Sequence, residues 1–96
     1  MKEIMLLVTY KLKPQAREYF LGEVAAAEIL QKTCREDGAL RYDYYLSAAD
    51  ADAVLPAERW SSAEAQAAHL QTAHIAELKR IKEKYVLETV VEKFEM

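Results

Sequence analysis

The residues from Glu3 to Leu12, EIMLLVTYKL, constrain the fold more than any other stretch because they are apolar on both alternating sets. Ile4, Leu6, Val8, Tyr10 and Leu12 fall on one side of an extended chain, Met5 and Leu7 on the other. A strand that is apolar on both faces is covered on both faces. A chain of 96 residues buries only about two thirds of the surface that its unfolded form exposes. Its own helices are therefore expected to cover one face, and a second copy of the chain, packed sheet to sheet about a two-fold axis, the other.

The remaining elements follow from periodicity and punctuation. Pro14 suits the first turn of a helix, and Ala16, Phe20, Val24, Ala27, Leu30 and Cys34 recur at steps of three and four, which predicts one helix over Pro14–Glu36 with Cys34 in the core. Asp37 and Gly38 are its stop signal. Ala39–Ser47 alternates Leu40, Tyr42, Tyr44 and Leu46 against Arg41, Asp43 and Tyr45, the pattern of a second strand. Val54–Trp60 reads as a third strand whose regular part begins after Pro56, since proline cannot donate to a ladder. Ser61 and Glu64 have capping-box spacing. A short helix is expected over Ser62–Leu70, a bend near Gln71, a second segment from Ala73 to Lys84 capped by Thr72, and a last strand over Val86–Phe94. The order is βαββαβ, an α+β ferredoxin-like arrangement with helices on one face of a four-stranded antiparallel sheet.

Composition narrows the function classes. A net charge of -3 offers no basic face for phosphates, so nucleic acid is not an expected partner. No apolar run reaches the roughly 20 residues that cross a bilayer, and no membrane association is expected. Cys34 is alone and the N-terminus does not resemble a leader, which points to the reducing cytoplasm. Two distant histidines and one cysteine do not form a metal cluster of the usual spacing, so no metal is expected.

The stretch from Val54 to His74 carries the chemistry. His69 and His74 are the only histidines, and hence the only side chains that titrate near neutrality without perturbation. Five residues apart on an unbroken helix they would differ by about 140° in direction, so only the bend at Gln71 turns both inward. Glu58 shares a strand face with Trp60 and needs a partner if covered, for which Arg41 on the neighbouring strand is the candidate. Trp60 serves as core or as pocket wall. Lys79, Arg80, Lys82 and Lys84, near a helix C-terminus, read as a solvated face that offsets the helix dipole.

Lys13-Pro14, Gly38-Ala39-Leu40-Arg41-Tyr42-Asp43, Glu58-Arg59-Trp60 and Ala68-His69-Leu70-Gln71-Thr72-Ala73-His74 together resemble the antibiotic biosynthesis monooxygenase family of dimeric α/β-barrel proteins, in particular its small quinol monooxygenase-like members. The chain departs from that pattern at Ala73, where the family usually has proline, and at Pro56, where it has an ordinary strand residue. The resemblance implies a homodimer and a pocket between sheet and helices. It also implies oxygenation of a small quinol-like aromatic by O2 with neither metal nor flavin. His69 would be the proton acceptor or orienting group and Glu58 a second proton-transfer group, with Trp60, Tyr42 and His74 against the substrate. A haem-degrading branch of similar fold loses support, because the places of its functional asparagine, tryptophan and histidine hold Val8, His69 and Lys79. The alternatives are an isomerase of the same fold, moving a proton next to a carbonyl, and a small-ligand binding or stress-response module without catalysis.

Overall fold

In the computed structural model, which describes residues 2–96, the two-sided stretch is β1 (Ile4–Leu12). Ile4, Leu6, Val8, Tyr10 and Leu12 are buried beneath the helices while Leu7 is 41% exposed on the opposite face. There follow α1 (Arg17–Ala26), α2 (Ile29–Cys34), β2 (Ala39–Leu46), β3 (Ala53–Trp60), α3 (Ala63–His69), α4 (Ala73–Tyr85) and β4 (Val86–Glu95). The strands form one antiparallel sheet in the order β2-β3-β1-β4. This is the expected α+β ferredoxin-like fold. Phe20, Val24, Ile29, Ile75, Leu78 and Ile81 join the inward side of β1, with Tyr42, Val54 and Trp60, in one core. β4 stays exposed along almost its whole length, so the layer between sheet and helices is open on that side.

The single helix expected over Pro14–Glu36 is two. Glu28 adopts a left-handed conformation (φ 54°) between them, which ends the hydrogen-bond ladder and resets the helical phase. Phe20 and Val24 are buried in α1, but Ile29 and Thr33 in α2. Cys34, expected in the core, is consequently exposed. Thr33 is wholly buried and its hydroxyl donates to the Ile29 carbonyl at 2.8 Å, which satisfies it inside the helix. Pro14 lies in a turn ahead of α1 rather than in its first turn.

Pro56 is inside β3 and does not precede its regular part. It pairs with Tyr44 of β2, whereas on the other side the register to β1 skips Val8 and Thr9. The missing N–H thus falls on the β1 side, and the strand continues through the gap. The cap of α3 is Ser62, whose hydroxyl accepts from the Ala65 N–H at 3.1 Å, and not Ser61. The Ser61 N–H instead donates to the Gly38 carbonyl at 2.8 Å. Thr72 caps α4 as expected, accepting from the Ile75 N–H at 3.4 Å.

Candidate active site

The break between α3 and α4 places His69 at the end of one helix and His74 in the first turn of the next. Both rings then reach the same atom. Glu36 Oε2, just beyond the end of α2, lies 2.7 Å from His69 Nδ1 and 2.6 Å from His74 Nε2. A carboxylate oxygen only accepts, so the two nitrogens facing it carry the protons. That fixes the tautomer of a neutral His69: its Nε2 holds the lone pair. Nε2 makes no hydrogen bond within the described residues, where no buried side-chain nitrogen or oxygen lacks a partner. It therefore opens onto space outside the packed core.

That space is a cavity of about 290 Å³ between sheet and helices, near the lower limit of about 300 Å³ for ligand pockets. Leu6 and Val8 of β1 and Ile75 and Leu78 of α4 give it apolar walls, and Tyr42, Glu58 and His69 bring polar groups to it. Pairing aligns Tyr42 with Glu58 and Glu58 with Leu6, so the three side chains project from the sheet side by side. The His69 ring is 3% exposed, with its centroid 4.6 Å from the Trp60 ring and 5.5 Å from the Tyr42 ring. Its position is thus set by packing on two sides and by Glu36 on a third.

Glu58 does not pair with Arg41. Arg41 sits opposite Arg59 on the other face of the sheet, where its guanidinium bonds the Tyr45 hydroxyl. Neighbours along a strand point to opposite faces, which rules out the expected ion pair. Glu58 Oε1 instead accepts from Trp60 Nε1 at 3.0 Å. Burial pushes the Glu58 carboxyl above its ordinary range, opposed in part by that hydrogen bond and by His69. Burial likewise raises Tyr42 well above an ordinary phenol, so it presents a protonated hydroxyl, 3.4 Å from that of Tyr44.

Of the five residues singled out from the sequence, His69, Glu58 and Tyr42 meet at one cavity. Trp60 is wholly buried and backs His69 and Glu58 without being part of the lining. His74 borders a separate groove with Lys32, Glu77 and Arg80, and meets the cavity's His69 through the shared Glu36 carboxylate and by ring contact at 6.2 Å between centroids. Sequence reasoning missed Glu36, which reads as the end of a helix beside Asp37-Gly38. It also missed Lys82, which lines the cavity and is half-buried rather than part of a solvated face.

Glu36 also changes the question of a metal, since with His69 and His74 it places three ligand atoms within 4.8 Å of one another. Their separations of 2.6 and 2.7 Å are those of hydrogen bonds. Donors around an ion bound at about 2.0–2.1 Å stand roughly 3 Å or more apart. The arrangement described is that of two protonated nitrogens on one carboxylate, and an ion there would have to displace both protons and spread the three groups.

A family model of antibiotic biosynthesis monooxygenases matches residues 3–80. Among solved structures, a conserved protein of unknown function from Bacteroides thetaiotaomicron, described as a possible oxidoreductase, is 33% identical. The alignment covers 99% of this chain and 98% of that one at a TM-score of 0.86. The Pseudomonas aeruginosa protein PA3566 is 21% identical over 100% of this chain and 95% of its own, with a TM-score of 0.89. A structure named antibiotic biosynthesis monooxygenase is 21% identical over 97% of each chain, with a TM-score of 0.86. The last two likenesses concern the fold. No curated protein matches the sequence.

Proposed function

The chain belongs to the antibiotic biosynthesis monooxygenase family, and on that premise we propose that it oxygenates a small quinol-like aromatic with O2, using neither metal nor flavin, as a cytoplasmic homodimer. One observation carries the reading: His69 is held by Glu36 through Nδ1, which leaves Nε2 as an acceptor on an apolar cavity. A deprotonated hydroquinone is itself a strong one-electron donor to O2. The protein therefore needs to supply a base, dry walls and an orientation. His69 Nε2 takes the hydroxyl proton, and Glu36 offsets the positive charge that the imidazole ring acquires. The Tyr42 hydroxyl orients the substrate oxygen. Electrons then pass to O2, the resulting peroxide forms at a ring carbon, and water leaves, so that a naphthohydroquinone and O2 give a hydroxynaphthoquinone and water. Glu58, whose carboxyl burial pushes upward, is the acid on the cavity that passes a proton to the departing oxygen. Under ¹⁸O2, one labelled atom is expected in the organic product; unlabelled quinone with hydrogen peroxide would overturn the assignment.

The dimer is supported by the uncovered sheet face. Register puts Met5 beside Phe94, Leu7 beside Glu92 and Ala57, and Val90 beside Thr9. Leu7, Tyr45, Val90 and Phe94 are each more than two fifths exposed. An apolar patch of this kind on a small chain is the signature of an interface.

A second reading rests on Glu58 and His69 bordering the same cavity, an acid and a base suited to moving a proton next to a carbonyl. Such an isomerase would turn over at equal rates with and without O2.

A further inference from the structure

We propose that the cavity selects aromatic ligands carrying an anionic group, carboxylate or phosphate, at the end opposite the hydroxyl that faces His69, with Lys82 and Lys79 as the recognising cations. The inference deepens the reading of this cavity as the substrate site.

The cavity has two chemically different ends. Tyr42, Glu58 and Leu6 lie in one row across the sheet. Tyr10 lies four residues further along β1, about 13 Å away at about 3.3 Å per residue. Lys82 Nζ stands over the Tyr10 ring, 4.5 Å from its centroid. On α4, Lys82 is about 10 Å along the axis from Ile75 at about 1.5 Å per residue. The backbone positions that carry Tyr42 and Glu58 are thus offset along the sheet from the one that carries Tyr10, beneath Lys82, by about the length of a bicyclic aromatic with a substituent at each pole.

The two lysines also differ from the other cations of their helix. Arg80 bonds Glu77, and Lys84 bonds Glu23. Lys79 and Lys82 have no carboxylate within ion-pair distance among the described residues, although both line the cavity. With Thr89 they border an adjoining groove that includes Glu83 and Glu88, so they stand where the cavity opens. Lys82 is half-buried, and burial together with the charge of Lys79 pulls its ammonium below the ordinary lysine range. Two like charges held together beside an apolar space leave that space with a positive potential, which an anion entering it relieves. The third carboxylate of the region, Glu58, acts on Lys82 across the cavity and partly offsets the pull of burial and of Lys79 on that ammonium, but it makes no ion pair with it and bonds Trp60 instead.

The experiment reads binding and not turnover, so a protein that fails to oxygenate still tests it. Quenching of Trp60 fluorescence, or calorimetry, compares 6-hydroxy-2-naphthoate and 6-hydroxy-2-naphthyl phosphate with the neutral 6-hydroxy-2-naphthamide. At least one anion is expected to bind tenfold or more tighter than the amide, and the better of the two names the group recognised. Lys82→Met should remove that preference, read as the ratio of anion to amide affinity in the same protein. Lys79→Gln, at an exposed position, should reduce it severalfold, and raised salt should weaken the anions alone. Equal affinity for acid and amide, a preference that survives Lys82→Met, or no binding by any of the three at millimolar concentration would overturn the proposal.

Discussion

The ring nitrogen that His69 offers to the cavity is decided by Glu36. Replacing Glu36 with glutamine keeps the shape but lets the amide donate to His69 Nδ1, which favours the wrong tautomer. Loss of a positioned general base costs on the order of 10²–10⁴ in rate; for Glu36→Gln, which leaves the ring in place, we expect a fall toward the lower figure. Oxygen uptake reads the rate, and ¹⁵N chemical shifts of the histidine ring read the tautomer. Glu58 gives a stability prediction with a definite sign. Its carboxyl is raised by burial, so ionising it costs more in the folded than in the unfolded chain. That penalty is absent below the unfolded value of about 4.3 and is complete once pH passes the folded value. Glu58→Gln, which can still accept from Trp60 Nε1, should therefore melt higher than wild type at pH 7 and level with it near pH 4. Thermal melts at the two pH values check this. His69 and Glu58 could be singled out as candidates because residue type, strand parity and helix phase are local properties, whereas Tyr42 stood out among six tyrosines only through the family resemblance. Glu36 and Lys82 could not be, since what sets them apart is a partner or a wall that only the tertiary fold supplies.

Helix ends and turns account for most of the remaining differences. Sequence periodicity ran through Ala27 and Glu28 without interruption, because nothing in a glutamate announces a left-handed backbone; the helix break, and with it the exposure of Cys34, was hidden for that reason. The bend near Gln71 was visible because Thr72 announces a cap. Ala73 is the first residue after that cap, and Thr72 is extended (ψ 156°), the conformation preferred before proline. Ala73→Pro should thus stabilise the chain by about 0.4–1 kcal/mol, read as a shift in urea midpoint. Gly38 behaves in the opposite way. It sits at φ +83°, and an added Cβ would lie 2.5 Å from Ala65 Cβ and 2.6 Å from Ser61 Oγ. Gly38→Ala should cost about 2 kcal/mol or more in the same experiment, since strain of about 1–3 kcal/mol for the left-handed backbone adds to the collision.

On the scale of the whole molecule, the two-sided apolar pattern of β1 was the most informative feature of the sequence. It placed one face under the helices and left the other calling for a partner. We expect light scattering at micromolar concentration to give twice the 11.0 kDa of one chain, and the double variant Leu7→Glu, Phe94→Glu to return the mass to one chain. Equal masses for the two proteins would remove the sheet face as the interface. The central claim concerns chemistry in the cavity, and oxygen uptake by the purified, metal-free protein with a panel of reduced naphthoquinones, neutral and acidic, tests it most directly. Uptake above the spontaneous rate that falls at least tenfold in His69→Ala, with melting temperature preserved, is the predicted result. Uptake indistinguishable from background across the panel, or unchanged in His69→Ala, would contradict the assignment of His69 as the base of an oxygenase.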